Sequence, residues 1–407
     1  MFCGFAAGAW LGGAEAPIKL VNPEISPITV SLVMVCGVFL ARWSVPALVR
    51  GTSHIGADVG QAPHLVVWAI LAGCMWAVAN TLTIYAIRNV GLSIAFPLWN
   101  TNSLLGIFWG FLLFKELHTA GWKRWLGVIG GALCMFAGAT LLAVASSHEA
   151  APGKATLGIA AALGAGILWG TMYIPYRKAY LTGMNPLSFI TFFTVGELIT
   201  MLILAISYRG AAPLWHELST ARAVLFWLML GGFVWVIGDL FQQYATKYVG
   251  ISRGIPLSNT NQLWGLLWGV LVFHELRGAG HDTYEQVVGG SILMALGAVA
   301  IALSSATESE HSSWKDAAQR EGDRYGVEDE YVRAGMEGRA YESSSEGRSV
   351  LDWLLILVTT ALFAALAIIS KPPQVDVSFG WAAALSVVMF TLMSACGVAL
   401  WRTTRFR

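Results

Sequence analysis

One stretch of this chain is written twice. Gly91 to Leu117 reads GLSIAFPLWNTNSLLGIFWGFLLFKEL, and Gly250 to Leu276 reads GISRGIPLSNTNQLWGLLWGVLVFHEL. The offset is 159 without a gap, and 15 of the 27 positions are identical. The shared letters include Pro97/Pro256, the triplets Asn100-Thr101-Asn102 and Asn259-Thr260-Asn261, Gly106/Gly265, Gly110/Gly269 and Glu116/Glu275. Apolar segments broken by proline and amides at matching places of two halves are expected where a solute site lies at a repeat interface in a membrane.

Composition narrows the setting. Of the 407 residues, 56% are hydrophobic and 12% charged, roughly half the charge of a soluble domain. Seventeen of the 49 charged residues crowd into 306–349, so the remainder is poorer still. The apolar runs are continuous and about 20 residues long, which suits helices and not the short alternating strands of a barrel. The expected fold class is all-α, a polytopic membrane protein. A net charge of +1 gives no bulk attraction to nucleic acid. The five cysteines lie in apolar stretches without a paired or metal-binding spacing, and read as small buried hydrophobes. There is no Walker A, GxSxG or HExxH motif, so no enzyme chemistry, cofactor or metal is expected.

Twelve candidate spans follow, at about 2–19, 27–48, 64–87, 92–114, 124–145, 156–178, 186–207, 223–245, 251–273, 286–304, 350–370 and 378–401. The first lacks a basic leader and carries Glu15 and Lys19, so it reads as a retained span with a local ion pair. With the N-terminus inside, short inner segments hold twelve Lys or Arg, Arg42 among them, against seven outside. The bias places both termini in the cytoplasm. One repeat of 159 residues holds five spans, an odd number, so the second copy enters the membrane upside down. The register extends to Trp76/Trp235, Gly130-Gly131/Gly289-Gly290 and Gly138/Gly297, with Trp10 lying 159 before Trp169. Residues 1–147 are the expected first five-helix repeat and 156–305 the second, inverted one. An acidic cytoplasmic linker at 306–349, solvated with one short helix, would lead to two additional C-terminal transmembrane helices in 350–401.

Candidate site residues sort by chemistry. Pro97 and Pro256, and Pro175 in the sixth span, are expected to break or kink their helices and free a carbonyl one turn earlier. Asn100, Asn102, Asn259 and Asn261 offer the neutral two-way hydrogen bonding a polyol requires, although amides also clamp neighbouring helices. Trp99 adjoins the first triplet and is suited to stacking on a sugar ring; Trp109, Trp264 and Trp268 read as packing. The glycine pairs Gly106/Gly110 and Gly265/Gly269 read as close helix contacts. Glu197 and Asp239 lie inside spans, where a carboxyl is costly unless it works or is bonded to a neighbour, and they are the candidates for proton coupling. Asn80 is the repeat mate of Asp239. Glu116 and Glu275 are expected in interfacial ion pairs near Lys123 and Arg277.

The motif P-L-W-N-T-N…G-x-x-W-G…F-x-E-L, with Trp169-Gly170-Thr171-Met172-Tyr173-Ile174-Pro175 and its partial echo from Trp10, resembles the glucose/ribose porter family of the drug/metabolite transporter superfamily. It is also similar to rhamnose–proton symporters and, more remotely, to plant ureide permeases. The resemblance covers roughly residues 1–305. It implies a 10-helix, 5+5 inverted-repeat transporter core with a central cavity, and proton-coupled uptake of a sugar or related polar metabolite. Carried onto this chain, it marks Pro97, Asn100, Asn102, Pro256, Asn259 and Asn261, with Trp169 and Pro175, as site positions. The acidic segment and the last two helices depart from the ten-helix pattern.

The expectation is therefore a secondary active carrier of a small polar solute, with protons and the lipid bilayer as partners and a homodimer as one assembly it allows. Its place would be the plasma membrane, in a bacterium the inner one. The competing readings are an exporter of the same superfamily and a membrane scaffold or sensor acting through 306–349; an intramembrane enzyme is remote.

Overall fold

The computed structural model describes residues 1–14, 16–20, 25–90, 95, 98–99, 101–145, 155–274, 276–278, 280–304, 306–339, 347–371 and 376–406. Glu15, Pro97, Asn100 and Glu275 lie outside the described residues, as does the side chain of Lys19. The protein is an all-α, multi-pass membrane protein. The first half contains α1 (Phe2–Gly13), α2 (Ala16–Lys19), α3 (Pro27–Val49), α4 (Ser53–Gln61), α5 (His64–Val90), α6 (Asn102–Phe114) and α7 (Trp122–Ala145). The second contains α8 (Ala155–Leu181), α9 (Pro186–Arg209), α10 (Ala211–Thr220), α11 (Leu225–Val249), α12 (Ile251–Ser258), α13 (Asn261–Leu267), a π-helical turn Trp268–Val272 and α14 (His281–Leu303). Then come α15 (Glu308–Tyr325), α16 (Asp329–Glu337), α17 (Val350–Ile369) and α18 (Phe379–Thr404).

Among the described residues nine helices, not twelve, are long and apolar enough to cross a bilayer. The difference falls on spans one, four and nine. Helices α1 and α6 are short, and the ninth span divides into α12, α13 and the π turn, with Asn259 and Thr260 between the two α-helices. Pro256 precedes that break by three residues. Pro175 was expected to break its helix and does not: α8 runs through it. A proline deletes one ladder bond, and the bonds on either side keep the helix continuous.

The duplication is visible in local chemistry. Ser26 caps α3 ahead of Pro27, and Asn185 caps α9 ahead of Pro186, 159 residues on. Both caps accept a backbone N–H, and proline at the first helical position gives up none the helix needs. Gly51 and Gly210 follow the same two helices with φ of +87° and +83°, a conformation that costs glycine little.

Packing repeats in the same register with partners exchanged. A Cβ placed on Gly73 would lie 1.9 Å from Phe193 O, and one on Gly232 2.0 Å from Met34 O. Likewise Gly37 faces Met229 O at 2.1 Å and Gly196 faces Ile70 O at 2.2 Å. Each pair maps onto the other by 159, so α3, α5, α9 and α11 cross around a pseudo-two-fold. Gly131 against Gly297 O and Gly138 against Gly290 O, both 2.6 Å, repeat the pattern between α7 and α14. Small residues at these crossings let backbones touch, which is how helices associate where lipid offers no hydrophobic drive.

The first helix breaks the register by one. Gly8 meets Thr260 and Gly12 meets Asn261 O, while Gly166 meets Thr101 and Gly170 meets Asn102 O. The offset here is 158, so the spatial counterpart of Trp169 is Leu11 and not Trp10. Leu11 packs on Gly238, and the Trp10 indole donates instead to Met389 O of α18 at 3.0 Å.

Helix ends gather on two faces. On one, Thr52 bonds Asp352, Leu117 bonds Glu310, Lys178 pairs with Glu321, and Asn185 and Tyr244 donate to Phe406 O. These are the ends of spans two, four, six, eight and twelve. On the other, Ser26 and Thr29 donate to Glu217, Lys371 N to Ala223 O, Ser378 N to Val272 O, and Arg277 pairs with Asp376. His118 follows Leu117 on the first face and Arg277 lies on the second, so the two copies run in opposite senses. The described part of the segment expected as a solvated linker, residues 306–339, is instead folded onto the first face. Helix α15 carries a full capping box at Thr307/Glu310, and Glu310, Trp314, Ala318 and Tyr331 are buried. Apart from Glu310, its charge sits toward the outer side of α15 and α16, and the apolar stripe on the inner side is covered by span ends.

Candidate functional site

Arg42 is the centre of the molecule's chemistry. It was expected at the cytoplasmic end of span two. It lies instead seven residues before the end of α3, roughly 10 Å into the helix at 1.5 Å per residue, and is 0% exposed. A charge cannot remain there unpaired. Its Nη1 lies 3.1 Å from Glu197 Oε2 and its Nη2 lies 2.8 Å from Asp239 Oδ2. The guanidinium also stands 4.1 Å over the Phe193 ring and 5.3 Å over Trp235, where the ring faces favour a cation.

The two acids predicted from sequence are thus brought together by a cation that was misplaced. Arg42 belongs to the first half and both acids to the second, so the cluster bridges the halves. Gln243 donates to Asp239 Oδ1 at 3.0 Å, and the Tyr180 hydroxyl donates to Gln243 Oε1. Glu197 Oε1 is buried without a hydrogen-bond partner among the described residues. Two carboxylates share one guanidinium, so the ionised cluster holds one negative charge in excess. Duplication did not copy it: the mates of Arg42, Glu197 and Asp239 are Met201, Val38 and Asn80, and Asn80 bonds Ser31 at 3.3 Å. Next to Arg42, Trp76 and its mate Trp235 meet edge-on, with centroids 5.4 Å apart at 62°.

The amides lie to one side of this cluster. Asn259 Nδ2 donates to Ser103 of α6, and Ser103 bonds Asn102 Oδ1 at 3.4 Å. The space beside Asn259, lined by Ser103, Met135, Pro256, Gln262 and Met294, is about 10 Å³, room for one water and no sugar. Asn261 Oδ1 is buried without a partner among the described residues. Trp99 and Trp169 meet edge-on at 6.3 Å, and the Trp169 indole N–H is a buried donor that likewise has no partner among the described residues. Ser258, the mate of Trp99, accepts from Gln242.

At the first face the span ends are pinned by a second set of ions. Glu116 was expected near Lys123. It pairs with Arg177 instead, at 3.0 Å and fully buried, and accepts Ile251 N and Ser252 N at 3.1 and 2.9 Å. A carboxylate at the N-terminus of α12 meets the positive end of the helix dipole. Arg177 donates in turn to Thr246 O and Lys247 O at the end of α11, at 3.2 and 3.0 Å. Sequence reading missed Arg42, Gln243, Tyr180 and Arg177 as site residues. The available signal was the same for both arginines: a cation placed within an apolar helix and not beyond its end.

The bundle is that of a multi-pass membrane protein, with an ion cluster and an aromatic pair buried where its two halves cross. The chain belongs to the sugar transport protein family, whose sequence profile matches residues 25–145 and 160–322. It is similar to the glucose uptake protein of Staphylococcus xylosus, 23% identical over 218 residues, which cover 52% of this chain and 70% of that one. A protein named for sugar uptake in Listeria innocua is 23% identical over 237 residues, 57% of this chain and 77% of that one. One so named in Streptococcus pyogenes serotype M1 is 45% identical over 64 residues, 15% of this chain and 22% of that one.

Proposed function

We propose that this protein is a secondary active carrier that takes up a sugar or a similar polar metabolite by alternating access, driven by protons. The single observation that carries the reading is the Arg42–Glu197–Asp239 cluster. It joins the two halves at mid-span, is sealed from water, and is one proton short of neutrality when both acids are ionised. Protonating either acid removes its hold on Arg42 and frees the guanidinium for the other acid or for a solute hydroxyl. The halves can then part on one side and close on the other, which ties solute movement to proton movement.

In this reading residues 1–147 and 156–305 are the two moving units, 306–349 covers the cytoplasmic face, and the helices in 350–401 brace the bundle. Asn102, Asn259 and Asn261, with Asn100, line the solute path once Asn259 leaves Ser103. Trp99, Trp169 and the Trp76/Trp235 pair supply flat apolar faces for a sugar ring. Glucose is the first solute to try, because it is what the Staphylococcus xylosus relative is named for. The protein sits in the plasma membrane with both termini inside.

The test is uptake of labelled sugars into proteoliposomes under an imposed pH gradient. Accumulation of at least one sugar that collapses with a protonophore is the expected result. Accumulation indifferent to the gradient removes proton coupling, and no flux of any sugar in a panel removes the carrier reading for sugars.

A further inference from the structure

We infer that α15 and α16 form a gate on the first face, with Glu310 as the latch that holds the two halves of the bundle together there. The inference rests on the carrier reading and adds the device that controls one of its two openings.

Glu310 touches both halves at once. Its Oε1 accepts Leu117 N at 2.9 Å, at the end of the first half's fourth span. The same carboxylate takes Arg253 Nη2 at 3.1 and 3.0 Å, at the start of the second half's α12. Arg253 Nε donates to Ser304 O, and Arg253 and Glu310 are both 0% exposed. The halves cannot separate on this face while one carboxylate bonds to each.

Trp314 completes the latch. Its ring lies 4.4 Å from the Arg177 guanidinium, and Arg177 is the partner of Glu116. The indole therefore covers the pair that ties the fourth span to the sixth and shields it from water. The rest of the two-helix element also straddles the halves. Tyr325 stacks on His64 at 3.9 Å and Tyr331 donates to Asp58 at 2.8 Å, both on the first half. Lys178 pairs with Glu321 at 3.1 Å, and a Cβ on Gly335 would lie 2.4 Å from Gly183 Cα, both on the second.

These contacts suit a releasable closure better than a static brace. A buried ion pair adds little net stability over an apolar replacement, yet it has two well-separated states, made and broken. On the opposite face Glu217 of the second half reaches across to the first, accepting from Ser26 and Thr29, and also pairs with Arg209 of its own half. A carboxylate therefore links the halves on each face. Releasing one should shift the population toward opening on that face and away from the other.

The experiment uses the full chain without its five native cysteines, reconstituted in vesicles, with single reporters for a water-soluble maleimide. Thr246→Cys reports the first face, because Thr246 is buried beneath Arg177. Ser31→Cys reports the opposite face, two residues in from Thr29. In Glu310→Gln, labelling at the first reporter should rise about tenfold and labelling at the second should fall. Glu321→Gln breaks a partly exposed pair and should move both reporters the same way by less. Lys315→Ala, on the outer side of α15, should move neither. A rise at both reporters means unfolding and not gating, and overturns the proposal; no change at either overturns it as well. If labelling shifts as expected while no sugar is taken up, the gate stands and the sugar assignment falls.

Discussion

Arg42 and Asp239 meet at 2.8 Å across the plane that divides the two halves, with both side chains sealed from water. Neither residue has a charged mate in the other copy. The two copies share the scaffold, and each contributes charge that its counterpart lacks.

That asymmetry gives the first prediction. Asp239→Asn and Glu197→Gln each remove one negative charge, so proton-driven accumulation should fall at least about tenfold in each, a typical coupling effect. Exchange of sugar at equal concentration across the membrane should survive in at least one. Accumulation with unchanged pH dependence in both variants would falsify the coupling role. Loss of binding in thermal-shift measurements would assign the acids to the solute instead.

Arg42→Ala leaves two carboxylates facing each other in a dry site. Removing one partner of a buried pair costs about 3–5 kcal/mol, so the variant should unfold well below the wild-type temperature in detergent. Replacing all three together, Arg42→Met with Glu197→Leu and Asp239→Leu, should recover most of that loss and transport nothing. A triple variant no more stable than Arg42→Ala would show that the cluster is needed for folding.

The glycine seams predict a contrast between neighbours. Gly131→Ala and Gly290→Ala push a methyl against the backbone or side chains of the facing helix, whereas Gly130 and Gly289 have nothing within 4 Å. The first two should lose about 1–3 kcal/mol, the usual cost of overpacking. Gly130→Ala and Gly289→Ala should be neutral or gain up to about 1 kcal/mol from helix propensity. Equal losses at all four positions would contradict the crossing of α7 and α14 described above.

Helices α1 and α18 can be tested through their sulfurs. Cys3 Sγ and Cys396 Sγ lie 3.1 Å apart, so diamide treatment of the folded protein should remove two of the five alkylatable thiols. Dithiothreitol should restore them. Retention of all five after oxidation would place the two helices further apart.

A pH effect follows from His54 in α4. Burial, reinforced by Arg50, lowers its pKa to about 3, against a weaker opposing pull from a Gly51 backbone bond and Asp352. The unfolded chain takes up this proton near pH 6.5 and the folded chain does not until about pH 3. The folded state therefore loses stability as pH falls through that window, and has it in full above it. Asp58 on the same helix is raised by burial and acts with the opposite sign. The comparison is consequently wild type against His54→Asn. The variant should lose less of its melting temperature between pH 7 and pH 5, and parallel curves would remove His54 as the cause.

Much of this was legible in the chain. The 159-residue repeat, the helical class and the acids Glu197 and Asp239 all follow from local patterns, because a lipid-facing helix must be apolar along its length and an ion inside it stands out. The broken ninth span was legible too, from Pro256 and the amide triplet. Partnership was not. Arg42 sits in a helix whose end a hydropathy pattern locates only to within a few residues, so it was counted with the loop cations. Glu116 was assigned to Lys123, a neighbour in sequence, and found Arg177, 61 positions away. The acidic segment has the composition of a solvated linker, and only the span ends beneath it provide Arg253 and Arg177 for Glu310 and Trp314 to meet. Periodicity records which residues avoid water; which buried charge answers which is decided by where the helices cross.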